Sequence, residues 1–151
     1  MSIKKYVELN FCKVYYDPHY SNRINLWKNL IIKAYLKNKE FFNIKKIPKF
    51  RIIFVYSRKE MNKLWGAKTA NYVSGFSKRT KIVIFSPDSI EKNTCWKKPE
   101  FYSTLIHEIN HISFVNITGT YRPLWLLEGT ASYIQPKKKT SKKLIIPLSL
   151  L

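Results

Sequence analysis

The run Phe101–Val115 is rich in apolar residues, free of glycine and proline, and carries His107-Glu108-Ile109-Asn110-His111 in its middle. Such a run reads as a helix that crosses a core. On a helix the two histidines stand one turn apart on the same side. Two neutral imidazoles so placed can hold a zinc ion. Glu108 lies about 100° further round the helix. From there it reaches a water beside the metal without becoming a ligand.

The chain has three histidines and seven glutamates in 151 residues. Shuffling that composition yields H-E-x-x-H on the order of once in five hundred chains, so the bare pattern needs support from the rest of the sequence. Its bland alternative is a surface helix with two solvated histidines.

The length fits one domain with a real core. Lys and Arg number 28 against nine Asp and Glu, a net charge of +19. That field attracts polyanions and anionic surfaces. Nucleic acid is admitted as a partner but not favoured, because no nucleic-acid-binding motif accompanies the charge. Cys12 and Cys95 are far apart and show no C-x-x-C spacing, so both read as small buried hydrophobes. The first twenty residues contain Lys4, Lys5, Glu8 and Lys13 and no apolar signal core. No run has the length of a membrane span, so the expected compartment is the cytoplasm.

In chain order, residues 5–16 read as one strand, broken by Asp17-Pro18. Ser21-Asn22 can cap a helix reaching Asn43, with Ile24, Trp27, Ile31, Ala34 and Tyr35 on its apolar face. Residues 50–57 are a strand, residues 58–65 a short helix stopped by Gly66. Residues 71–76 and 81–85 form a hairpin about Ser77-Lys78-Arg79-Thr80, and residues 89–99 are a loop. The motif helix starts at Pro99 and runs to Ile117, and a second helix covers 124–134. The order predicts an α+β domain over 1–136, its sheet packed on one face by helices. The tail 137–151 begins with five lysines in seven residues and ends in an apolar segment.

A third ligand has to come from an element folded back on the motif helix. Glu128 is the only Asp, Glu or His after His111. It stands in Leu124-Trp125-Leu126-Leu127-Glu128-Gly129-Thr130-Ala131, where a lone carboxylate is costly to bury without a partner. Its plain alternative is a carboxylate that faces water.

His107-Glu108-x-x-His111 followed by Trp125-Leu126-x-Glu128-Gly129-x-Ala131 resembles the gluzincin metalloproteases, in particular the peptidase MA type and the small minigluzincins. The likeness spans about residues 10–135, specific in the two helices and a weak pattern upstream of them. It implies a zincin-like fold: a small twisted mixed or mostly antiparallel sheet against a backing helix, the motif helix and a glutamate helix. It implies one zinc ion on His107, His111 and Glu128, with Glu108 as general base and acid. It implies a peptide or protein substrate, paired along a rim strand that is either Lys81–Phe85 or the hairpin edge beside it. Relatives draw an oxyanion donor from a C-terminal helical subdomain; here Tyr133, Tyr121 and His19 are the stand-ins, and His19 otherwise reads as a solvated or capping residue. Ser132 stands where some relatives place an acid that orients a zinc histidine. The tail is read as a truncation or a self-covering, latency-conferring segment. The rival reading is a non-catalytic basic protein that binds zinc or nucleic acid on the same scaffold.

Overall fold

A computed structural model describes residues 4–136; the lysine-rich tail lies outside the described residues. The strands are β1 (Lys5–Glu8), β2 (Cys12–Tyr16), β3 (Phe50–Val55), β4 (Gly75–Lys78) and β5 (Lys81–Phe85). The helices are α1 (Ile24–Phe42), α2 (Arg58–Trp65), α3 (Ile90–Asn93), α4 (Glu100–Thr118) and α5 (Leu124–Ile134). The five strands make one mixed sheet in the order β1-β2-β3-β5-β4. β2, β3 and β5 run parallel, and each edge strand pairs antiparallel with its neighbour. The class is α+β.

Two faces follow from the pleat. Phe50, Ile52 and Phe54 of β3, with Ile82 and Ile84 of β5, point at α1 and α4. Phe54 packs edge-on against Trp27 of α1 and against Phe101 of α4. All of these side chains are almost fully buried, each contributing roughly 1.5–3 kcal/mol. Val83 and Phe85 point the other way, where the Arg58 guanidinium of α2 lies over the Phe85 ring. Trp65 of α2 likewise meets Phe76, whereas the next residue on the opposite face, Gly75, sits against Thr104 of α4. The sheet is therefore covered by helices on both faces, not one, because the short α2 has a strong apolar stripe of its own.

Several local expectations change, and the stretch 89–99, read as a loop, contains the short helix α3. Residues 5–16 are two strands, since Leu9 N–H donates to the Cys12 carbonyl at 2.8 Å and turns the chain back. Before α1 comes a 3₁₀ turn, Pro18–Arg23, capped by Asp17 and not by Ser21 or Asn22. Residues 71–74 are not strand. The carbonyls of 71–73 serve side chains instead: Asn71 and Val73 accept from Arg58, and Tyr72 accepts from the Trp96 indole at 2.6 Å. Ser77 and Lys78 belong to β4, leaving a two-residue turn of Arg79 and Thr80. Cys12 is buried, and burial pushes its thiol up to about 12. Cys95, expected inside, is exposed in the connector after α3. Among the described residues no helix is long and apolar enough to cross a membrane.

Candidate metal centre

Helix α4 is nineteen residues long, with Glu100 in its first turn and Gly119 closing it at φ 71°. It is buried over most of its circumference from Leu105 to Phe114. His107 and His111 look out of the one side left open, their rings edge-on with centroids 4.5 Å apart. Helix α5 buries Leu127, Ala131 and Ile134 at the four- and three-residue spacing of a helix stripe. With that stripe turned inward, the neighbouring Glu128 projects over the histidines. Thr130 Oγ1 donates to Asn110 Oδ1 at 3.0 Å and fixes the slide of one helix along the other.

The three donors converge. Glu128 Oε2 is 3.2 Å from His107 Nε2, and Glu128 Oε1 is 3.3 Å from His111 Nε2. One ligand atom from each residue lies within 4.8 Å of the others. The two Glu128–imidazole separations are close to the edge of about 3.4 Å of a tetrahedral ion with bonds of about 2.0–2.1 Å, while the three ligand atoms as a set spread to 4.8 Å. Burial, followed by the charge of His107, pushes His111 down to about 4. It is thus neutral at ordinary pH, the form that binds metal. The group could hold a metal ion through two imidazoles and one carboxylate.

Glu108 is 6 % exposed and lines one cleft with His107 and His111, beside Ser77 of β4. Burial is the main cause that pushes its carboxyl up to about 7. The Ser77 hydroxyl and backbone N–H donate to it and pull in the opposite direction, while the Glu128 charge adds to the rise. The Ser77 N–H is free for this because of the hairpin register. A two-residue turn makes Lys78–Lys81 and Phe76–Val83 the hydrogen-bonded pairs, and Ser74 O accepting from Phe85 N continues the alternation. Gly75 and Ser77 therefore turn their backbone groups outward along the sheet edge.

That edge borders a cleft of about 570 Å³ lined by Gly75, Ser77, His107, Glu108, Glu128 and Tyr121. Its wall continues through Trp65, Lys68, Thr69 and Tyr72. Arg58 braces this wall: its guanidinium donates to Thr69 Oγ1 at 2.9 Å and to the Val73 carbonyl at 3.0 Å. Thr69 is also tied to Asn62, N–H to Oδ1 at 2.8 Å.

All four site residues singled out in the sequence, His107, Glu108, His111 and Glu128, meet at this cleft. Of the two rim candidates, β5 is interior and the hairpin edge β4 is the free one. Tyr121 lines the cleft, with its hydroxyl accepting from Arg79 N–H at 3.1 Å. Tyr133 points to the outer side of α5 near Phe41, and His19 bonds to Asp17 in an exposed turn. Ser132 is exposed, and the buried His111 Nδ1 has no protein partner. Ser77, Arg58, Asn110 and Thr130 had no mark in the sequence reading. A hint for the last two was available: polar side chains at positions that face a neighbouring helix need each other.

Comparison with protein-family models, with curated proteins and with solved structures finds no match for this chain.

Proposed function

We propose that the protein is a gluzincin-like zinc peptidase, with His107, His111 and Glu128 as metal ligands and Glu108 as general base and acid. The observation that carries this reading is the placement of a buried carboxylate between a three-donor cluster and the free edge of a sheet, all on one cleft. Two neutral imidazoles and a carboxylate, with room for a further ligand, are a donor set suited to catalytic zinc. Bound there, zinc supplies Lewis acidity and lowers the pKa of water.

The chain's own residues supply the rest. The outward N–H and carbonyl of Gly75 and the carbonyl of Ser77 offer main-chain bonds to an extended peptide. Glu108, buried beside the donor cluster and on the cleft, takes a proton from the attacking water and passes it to the leaving amine nitrogen. Ser77 fixes the Glu108 carboxyl during both transfers. The half-exposed Glu128 would supply the carboxylate ligand opposite the two imidazoles.

Glu108→Gln tests the assignment. It keeps the shape and removes the base. Peptide hydrolysis is expected to fall by about 10³-fold or more, with zinc still bound at one per chain. Retained hydrolysis contradicts the role of Glu108. Absence of cleavage by the wild type, together with salt-sensitive nucleic-acid binding, favours the basic-protein reading instead.

A further inference from the structure

The cleft is crossed at one end. The α4–α5 connector, residues 119–123, leaves the end of the motif helix and brings Tyr121 to the tip of the β4–β5 hairpin. There the Tyr121 hydroxyl accepts the Arg79 N–H at 3.1 Å. Arg79 is held at φ 55°, so this N–H belongs to a turn whose backbone is committed. Tyr121 also lines the same cleft as Ser77, His107 and Glu128. The Tyr121 hydroxyl thus ties the α4–α5 connector to the hairpin tip two residues past Ser77, at the end of the cleft where an extended chain on β4 would run.

Strand spacing sets how much fits. From Ser77, which holds Glu108, to Arg79 is two residues, or about 7 Å along a strand. The outward backbone groups on this stretch belong to Ser77 and Gly75, and those of Lys78 are used by Lys81. A peptide laid on β4 therefore finds its main-chain partners on the Gly75 side and a wall on the Arg79 side. For a peptide antiparallel to β4, the wall lies on its amino-terminal side. The other wall, around Trp65, Lys68 and Tyr72, is where the rest of the chain runs.

We infer that the substrate of this site is the end of a peptide chain, with room for about two residues between the scissile bond and the Tyr121 strap. This rests on the peptidase reading above and adds to it a limit on substrate length on one side. Tyr121 is a specificity residue here; it touches the substrate's end and not the reacting atoms.

The test uses the full-length zinc-loaded protein and two peptide sets of one composition. One set is short with free ends; the other is long, blocked at both ends, with cleavable bonds only in the middle. The wild type is expected to favour the short set by about tenfold or more, and Tyr121→Ala to raise the long-to-short ratio by a similar factor. Tyr121→Phe keeps the ring and loses the latch, and is expected to fall between the two. Tyr121 is 44 % exposed, and thermal melts of the two variants beside the wild type check that folding is intact. Equal cleavage of both sets by the wild type, or a ratio unmoved by Tyr121→Ala, overturns the inference and leaves the peptidase reading standing. Cleavage of neither set by any variant overturns that reading and the inference with it.

Discussion

Thr130 and Asn110 join the two helices that carry the metal donors, through one hydroxyl-to-amide bond of 3.0 Å. Asn110 is fully buried and directly precedes His111; Thr130 stands two residues after Glu128. The bond therefore sits within one helical turn of all three donors, beside the apolar contacts between the two helices.

Removing that bond should loosen the site before it loosens the fold. Thr130→Val keeps the volume and removes the hydroxyl shared between Asn110 Oδ1 and the Leu127 carbonyl, at a cost of about 1–3 kcal/mol in stability. Zinc affinity is expected to fall by about tenfold or more, read by competition with a chromophoric chelator. Unchanged affinity with lowered stability would show that the apolar stripe of α5 alone sets the position of Glu128.

The rim strand rests on Gly75. A Cβ there would come within 3.0 Å of both Thr104 Cγ2 and the Val83 carbonyl oxygen. The methyl can shift, but the backbone carbonyl of β5 cannot without disturbing the ladder. Gly75→Ala should cost about 1–3 kcal/mol and lift β4 off α4. Because Ser77 lies on that same face, hydrolysis is expected to fall further than stability does. A variant with wild-type kcat and lower melting temperature would separate the strand's position from the chemistry.

How much of this was open to a reader of the sequence depended on the range of the interaction. Helical spacing is local, so His107, Glu108 and His111 announced themselves, and Glu128 followed as the one acidic or histidine residue available after them. Helix ends at Gly66 and Gly119 were legible for the same reason, each glycine taking the left-handed conformation that stops a helix. The ends of β4 were not. Asn71–Ser74 has strand-like residues, but Arg58 and Trp96, distant in sequence, take the carbonyls of 71–73. Ser77 looked like a turn residue, and only the hairpin register aims it at Glu108. The turn between β1 and β2 was hidden because Leu9 and Phe11 are apolar and continue the strand pattern.

Two titrations of opposite sign should govern the metal-free chain. Burial raises Glu108 from 4.5 to about 7, so between those values the folded state holds a proton that the unfolded state has released, and stability falls as pH rises. His111 is lowered from 6.5 to about 4, so in that window the unfolded state holds the extra proton, and stability rises with pH. The windows overlap and the slopes oppose each other. In Glu108→Gln only the histidine remains, and urea-unfolding stability in the presence of chelator is expected to climb from pH 4 to 6.5 more steeply than in the wild type. Parallel curves for the two proteins would mean that folding leaves the Glu108 pKa where it is in the unfolded chain.

His107, His111 and Glu128 form a cluster that could hold one metal ion, proposed above to be catalytic zinc. Its most direct test is the metal content of purified protein, measured by elemental analysis beside His107→Ala and Glu108→Gln. The expected result is about one zinc per chain in the wild type and in Glu108→Gln, with the first active and the second inactive, and a small fraction of one in His107→Ala. Equal zinc in the wild type and His107→Ala, or none in either, would contradict the site.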